Sequence, residues 1–220
     1  MHPAAVQIIR DEHLAIAVVL YSLRFLVRRM HTESAAPTFP LLHALLDYIV
    51  EYPDRWHHPK ESQFLFKTLR ERNPGAAELV DELEREHQDG DLRIVDLQRK
   101  LTAFERGDPQ GLQSFSNAVE EYAESQWKHI RKEEDVLMPL AERSLNASDW
   151  RRVAEAFQEN DNPLFGIKPK DEAERLYQKI LSLAPPPIGH GRVSDAAHGN
   201  GGKGMRTPIC RNRIARSEVC

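Results

Sequence analysis

Two histidine–glutamate pairs in this sequence have the spacing of metal ligands. Glu61 follows His57 by four residues, and Glu133 follows His129 by the same step. Residues four apart lie on one face of a helix, roughly 5–6 Å apart at Cβ, so one metal ion can take an imidazole and a carboxylate from a single turn. Two such turns facing each other, together with two more histidines, could hold two metals bridged by carboxylates.

The two further histidines, His13 and His87, lie on separate segments with apolar residues at helical spacing. A single histidine on an apolar stripe is more often a satisfied core residue than a ligand. The segment with Gln126, His129 and Glu133 is harder to explain in that way, because its seam is otherwise Leu, Phe, Val and Tyr. A buried carboxylate costs several kcal/mol unless it is paired, protonated or metal-bound. The sequence therefore predicts a metal site with the candidate ligands His13, His57, Glu61, His87, His129 and Glu133.

The ligand types narrow the choice of metal. Imidazole and carboxylate without thiolate suit iron, manganese or zinc, and they disfavour copper(I) and iron–sulfur clusters. Cys210 and Cys220 are the only cysteines, and both lie in the last eleven residues, away from the candidate ligands. Zinc usually closes its shell with four ligands. Six candidates therefore favour a dinuclear site.

The elements that must position these residues are helices. Before residue 160, apolar residues recur at alternating steps of three and four, which is typical of helices facing a common core. Asn73-Pro74 and Asp108-Pro109 are cap-then-proline signals that separate long segments. Short connections favour antiparallel neighbours. The predicted fold is all-α, an antiparallel up-down-up-down four-helix bundle with short C-terminal helices.

The chain divides into three parts. Residues 1–166 are predicted to form the bundle, 167–184 an amphipathic C-terminal helix, and 185–220 a disordered tail rich in Pro and Gly. A short helix is expected at about Ser148 to Glu159. Pro59 lies inside the second long segment and is expected to kink or split it, because proline removes a backbone donor.

Composition excludes several classes of function. The formal net charge of the 220 residues is -4, and no run of Lys/Arg is long enough for a nucleic-acid stripe. No stretch approaches the roughly 20 uninterrupted apolar residues of a membrane span. The first eleven residues are too polar for a signal peptide. We therefore expect a cytoplasmic protein with neither a nucleic-acid nor a membrane partner.

The strings around the candidate ligands resemble the hemerythrin HHE cation-binding family. They are Asp11-Glu12-His13, His57-His58-Pro59-Lys60-Glu61, Arg85-Glu86-His87 and His129-Ile130-Arg131-Lys132-Glu133-Glu134, and the similarity covers about residues 5–166. The resemblance implies a bundle with a non-haem centre of two irons per chain, whereas the ligand types alone also allow zinc or manganese. It implies that His13, His57, His87 and His129 are terminal ligands, and that Glu61 and Glu133 bridge the irons.

Three positions leave alternatives open. Oxygen-carrying members have a second histidine one turn after the first on the third helix, where this chain has Asp91, which either ligates weakly or leaves a coordination position open. His58, three residues before Glu61, competes with His57. Glu134 is a weaker alternative to Glu133, since a five-residue step in an α-helix turns about 140° away.

The resemblance also implies the function. Family members bind dioxygen reversibly, sense oxygen or iron, or handle iron and nitric oxide damage in iron–sulfur repair. The expected function is a metal-binding protein whose partner is a small diatomic ligand, dioxygen or nitric oxide, or which senses iron. The alternatives are a di-iron enzyme in iron–sulfur repair or stress response, and a structural helical interaction protein with one metal or none.

Overall fold

The chain folds into helices wherever its structure is described. The computed structural model describes residues 4–33, 36–158, 180 and 182. Within these ranges there is no strand. The long helical runs are α1 (Ala4–Thr32), α2 (residues 39–72), α3 (Ala77–Glu105), α4 (residues 111–144) and α5 (Ala147–Gln158).

The first four helices form the predicted bundle. α1 packs beside α2 and α4, and α3 packs beside the same two helices. A 3₁₀ turn at Pro74–Ala76 and a short loop at 106–110 connect α2, α3 and α4, so consecutive helices run antiparallel. α5 packs against α1. None of the described helices is long and apolar enough to cross a membrane.

Two of the bundle helices are not α-helical throughout. In α2, π-helical stretches at Val50–His57 and Glu61–Phe66 flank the single α-turn His58–Lys60. In α4, the stretch Glu133–Leu137 is π-helical. Each stretch lies close to a proline, at position 53, 59 or 139. Proline removes one backbone donor and clashes with the carbonyl four residues earlier, which favours a locally wider turn. Pro59 therefore changes the hydrogen bonding of α2 but does not split it.

Apolar side chains form two clusters, with a polar layer between them. The first core cluster includes Leu20, Leu46, Leu97 and Phe115, and the second includes Ile9, Phe66, Leu83 and Leu137. Along every bundle helix the candidate metal ligands fall between the two clusters. We call the set His13, His57, Glu61, His87, His129 and Glu133 the polar layer. The bundle core is thus interrupted at one level by ionisable groups.

The C-terminal predictions lie largely outside the described residues. This applies to residues 159–166 of the predicted bundle domain, to most of 167–184 and to all of 185–220. Within 167–184, Ile180 and Ser182 are helical, and Ile180 is buried in the first core cluster. The short helix expected near Ser148 is present as α5.

Candidate metal centre

The structure brings all six predicted ligands together. They come from four different helices, and each is at most 7% exposed. The residues and their exposed fractions are His13 2%, His57 1%, Glu61 0%, His87 7%, His129 4% and Glu133 0%.

One group of ligand atoms joins α1 to α2. His13, His57 and Glu61 each place a possible ligand atom within 4.8 Å of the others. His57 Nε2 lies 3.4 Å from Glu61 Oε1, and His13 Nε2 lies 3.6 Å from the same oxygen. A single ion between these three atoms would have two imidazole nitrogens and one carboxylate oxygen.

A second group joins α2, α3 and α4, and it shares Glu61 with the first. It consists of Glu61, His87, His129 and Glu133, again within 4.8 Å. His87 Nε2 lies 3.5 Å from Glu61 Oε2, and His129 Nε2 lies 3.3 Å from Glu133 Oε1. The two oxygens of Glu61 therefore face different groups.

Glu133 has the same two-sided arrangement as Glu61. Its Oε1 faces His129, and its Oε2 lies 3.2 Å from His13 Nε2 in the first group. Each carboxylate can thus place one oxygen on each of two ions. This is the arrangement that a dinuclear centre with bridging carboxylates requires.

Glu61 and Glu133 have no hydrogen-bond donors in the described part of the chain. Both oxygens of Glu61 and both oxygens of Glu133 are buried without a donor, as is Nε2 of His13. Burying an ionised carboxylate costs several kcal/mol when it is left uncompensated. A metal ion supplies both the charge and the contacts that these atoms lack, so the donor set fits a divalent cation.

The charges of the polar layer depend on one another. Burial opposes the charge on Glu133, but His129 and His13 outweigh it and lower the pKa of Glu133 well below its ordinary value. Burial also opposes protonation of His129, yet Glu133 and Glu86 raise its pKa to about 10. A metal that takes the histidine nitrogens must therefore displace protons, and it replaces their positive charge beside the carboxylates.

Three carboxylates outside the polar layer orient its histidines. His57 Nδ1–H donates to Glu12 Oε2 at 2.7 Å, His13 Nδ1–H to Glu134 Oε1 at 3.0 Å, and His129 Nδ1–H to Glu86 Oε2 at 2.9 Å. An ionised carboxylate only accepts, so each contact holds a proton on Nδ1. Nε2 is then the nitrogen that a metal would take once it has displaced any proton there. Such partners hold metal-binding histidines in position.

Sequence reasoning did not assign these three orienting roles. Glu12 and Glu86 immediately precede the candidate histidines of α1 and α3, and this adjacency was the available signal. Glu134 was predicted only as a weaker alternative to Glu133, on α-helical arithmetic. It lies in the π-helical stretch Glu133–Leu137, where a turn holds more residues, and there it contacts His13.

The adjacent histidines of α2, His57 and His58, both face inward, so burial does not choose between them and their contacts must. His57 contacts Glu61 and is held by Glu12, as a ligand would be. His58 is also buried, at 6% exposure, and its ring stacks on that of His87 with centroids 4.2 Å apart. His58 can also place a ligand atom within 4.8 Å of those of His87 and His129.

Asp91 lies apart from the gathered ligand atoms. It belongs to none of the groups of close ligand atoms found among the described residues. It lines a cavity of ≈ 180 Å³ between α2 and α3, together with Asp54 and both stacked histidines, His58 and His87. Burial, and the nearby charge of Asp91, raise the pKa of Asp54 to about 8.

Aromatic side chains border the polar layer. Phe157 of α5 meets the His57 ring edge-on with centroids 5.9 Å apart, and Phe66 stacks on His87 at 5.5 Å. α5 is tied to α2 by a hydrogen bond from Lys60 Nζ to the carbonyl oxygen of Ala156 at 2.7 Å. These contacts exclude water from one side of the layer and strengthen its electrostatic interactions.

The family model of the hemerythrin HHE cation-binding domain matches residues 4–141. The chain belongs to this hemerythrin family. The match covers all six residues of the polar layer, and the HHE domain is a cation-binding domain. The family resemblance read from the sequence is thereby confirmed, and the histidine–glutamate clusters are the residues of this HHE domain that could hold metal.

Curated relatives add similarity but no stated activity. The chain is 22% identical over 155 residues to three uncharacterised proteins, one from Mycobacterium bovis and two from strains of Mycobacterium tuberculosis. The alignment covers 70% of this chain and 60% of each relative, so the chain spans less than two thirds of the proteins that it matches. No solved structure matches the chain.

Proposed function

We propose that the chain holds a non-haem dinuclear iron centre that binds or senses a small diatomic ligand, dioxygen or nitric oxide, or that senses iron. The main support is the position of Glu61 and Glu133. Each carboxylate faces two separate histidine groups, and none of its oxygens has a hydrogen-bond donor among the described residues. One zinc ion with four ligands would leave part of this donor set unused.

In this proposal His13 and His57 would hold one iron and His87 and His129 the other, with Glu61 and Glu133 as carboxylates within reach of both. The irons, when bound, supply the ligand binding and electron transfer. The chain contributes orientation, through the carboxylates on the outer ring nitrogens, and a dry environment, through the two core clusters.

A second candidate function is a di-iron enzyme in iron–sulfur repair or stress response. The observation that favours it is the cavity between α2 and α3, which borders His58 and His87 and has Asp91 where oxygen carriers have a histidine. A path from solvent to the centre suits the delivery of iron or the reduction of a diatomic. The third candidate, a structural helical protein, requires one metal or none.

Elemental analysis tests the proposal directly. Protein purified without chelators and with iron supplied is expected to contain about two irons per chain. One zinc per chain, or no metal, would contradict the dinuclear proposal and favour the structural candidate. Exposure of the reduced protein to air then distinguishes the gas-binding protein from the di-iron enzyme. A reversible charge-transfer absorption supports oxygen binding, whereas irreversible oxidation with turnover supports the enzyme.

Substitution of a single histidine tests which residues hold the metal. His129→Ala is expected to lower metal content, because His129 contacts Glu133 within the second group. His58→Ala is the matched control, since it also removes a buried imidazole, and it is expected to change iron content little. An unchanged content in His129→Ala, or a large loss in His58→Ala, would overturn the proposed ligand set.

A further inference from the structure

The cavity between α2 and α3 connects the protein surface to the polar layer. Its volume is ≈ 180 Å³, far above the roughly 10–15 Å³ that one water requires. Four lining residues come from α2 and four from α3: Asp54, His58, Pro59 and Ser62, then Glu84, His87, Gln88 and Asp91. A partly hydrated ion therefore fits between the two helices.

The lining of the cavity is rich in carboxyl groups. Three carboxyl groups, those of Asp54, Glu84 and Asp91, border the cavity, and none of the described residues that line it is Lys or Arg. Asp54 is 13% exposed, and its pKa is raised in part by Asp91, so the two carboxylates disfavour each other's charge. A cation between them would remove that repulsion. A neutral diatomic gas would gain nothing from such a lining.

Two buried histidines form the inner end of the cavity. His58 is 6% exposed and His87 7%, and Nδ1 of each lacks a hydrogen-bond partner among the described residues. His58 Nδ1 lies 3.6 Å from Asp54 Oδ1, one turn earlier on α2. Asp91 follows His87 by one turn of α3. One wall of the cavity thus carries the Asp54–His58 contact, and the other carries His87 and Asp91 one turn apart.

We propose that Asp54, His58 and Asp91 form an entry port, where an incoming divalent cation, Fe²⁺ in this setting, binds before it reaches the polar layer. His58 links the cavity to the polar layer. It borders the cavity, and it can also place a ligand atom within 4.8 Å of those of His87 and His129. This inference rests on the proposed metal centre. It assigns His58 to the passage of the metal and not to its final coordination.

The rate of iron uptake tests the entry port, and its end point tests the metal centre. Metal-free full-length protein is mixed anaerobically with Fe²⁺, and iron protected from a fast colorimetric chelator is measured over time. The double variant Asp54→Asn, Asp91→Asn is expected to load about tenfold more slowly at low ionic strength and to reach the wild-type end point, since charged clefts raise association rates by roughly 10–10³. Added salt should reduce the difference.

The matched control is Asp89→Asn, which removes a negative charge from an exposed residue of the same helix that does not line the cavity. It is expected to load at the wild-type rate. Equal rates for the double variant and the wild type would overturn the entry port and leave the metal centre intact. Loss of the end point in the double variant would show that these carboxylates hold resident iron, which also overturns the port. A wild-type chain that retains no iron would refute the metal centre, and the port with it.

Discussion

The first core cluster and the polar layer are built from the same four helices but by opposite means. In the cluster, side chains such as Leu20, Leu46 and Phe115 are apolar, so their burial leaves no hydrogen-bonding group of the side chain unsatisfied. In the layer, Glu61 and Glu133 are buried just as completely, yet their oxygens have no hydrogen-bond donor among the residues that the structure describes. Apolar burial stabilises the fold by itself, at roughly 25 cal/mol per Å². The layer is stabilised only if something compensates its charges.

Helix geometry differs between the two regions as well. The first core cluster lies mainly on regular α-helical residues, whereas both histidine–glutamate pairs adjoin π-helical stretches that begin at Glu61 and Glu133. π-helical turns are rare and are frequently found at functional sites. The comparison shows that the cluster maintains the bundle, and that the layer departs from regular packing in a way that a bound metal would explain.

Removal of metal should have the largest effect, because it should destabilise the polar layer and leave the first core cluster unchanged. A ligand held at about 1,000 times its Kd stabilises the folded state by about 4 kcal/mol. For a chain of this size each kcal/mol corresponds to roughly 2–4 °C in Tm, so we expect chelation to lower Tm by roughly 10 °C. Hydrogen exchange should quicken around Glu61 and Glu133 more than in Phe39–Ile49. Calorimetry with and without chelator measures the first effect, and mass spectrometry the second.

Glu61→Gln separates loss of metal from loss of structure, because it keeps the shape of the side chain and removes the charge. The variant is expected to bind less metal. In the metal-free chain, burial opposes the charge of Glu61, but the surrounding histidines, His57 first, outweigh it and lower the pKa of Glu61. Loss of this paired charge should therefore lower the Tm of the metal-free chain slightly. A Tm equal to or above that of the metal-free parent would mean that the histidines do not compensate Glu61 when no metal is bound.

Leu46→Ala is expected to act on the fold alone. Leu46 is fully buried in the first core cluster, and truncation of a buried leucine costs about 2–5 kcal/mol. Because the cluster lies apart from the candidate metal ligands, the cost should be the same with and without metal. Denaturant unfolding of both forms measures it. A cost that depends on metal would show that the two regions are energetically coupled.

The apolar pattern predicted the bundle well, since it depends on average spacing over many residues. Alternating steps of three and four placed the helices, and Asn73-Pro74 marked the boundary before α3, where the Asn73 side chain accepts from the Gly75 amide at 3.2 Å. The six candidate ligands came from spacing within single helices, and the structure places all six in one layer. Asp108-Pro109 was less accurate, because α4 begins at Gly111.

The orienting carboxylates and the cavity could not be predicted in the same way. They depend on which side chains of different helices meet, and on the local width of the helices. In a regular α-helix, Glu134 would lie about 140° away from the ligand face. In the π-helical stretch Glu133–Leu137, its side chain instead contacts His13. Pro139, two residues after that stretch, was the only local signal of a changed geometry.

The smallest effect is expected for Glu134→Ala. This variant tests whether the π-helical stretch gives Glu134 a role beside His13. Loss of a carboxylate that orients a metal-binding histidine typically lowers metal affinity by about 10–100-fold. Glu134 is the partner of His13 Nδ1, so its removal should weaken metal binding without a comparable loss of stability in the metal-free chain. Asp135→Ala is the matched control, because Asp135 is exposed in the same π-helical stretch. Competition against a chelator of known affinity measures both variants. Equal metal affinities would mean that Glu134 is a solvated surface charge, as regular α-helical geometry predicts. Weaker metal binding in Glu134→Ala alone would mean that Glu134 supports the polar layer by holding the His13 ring in place.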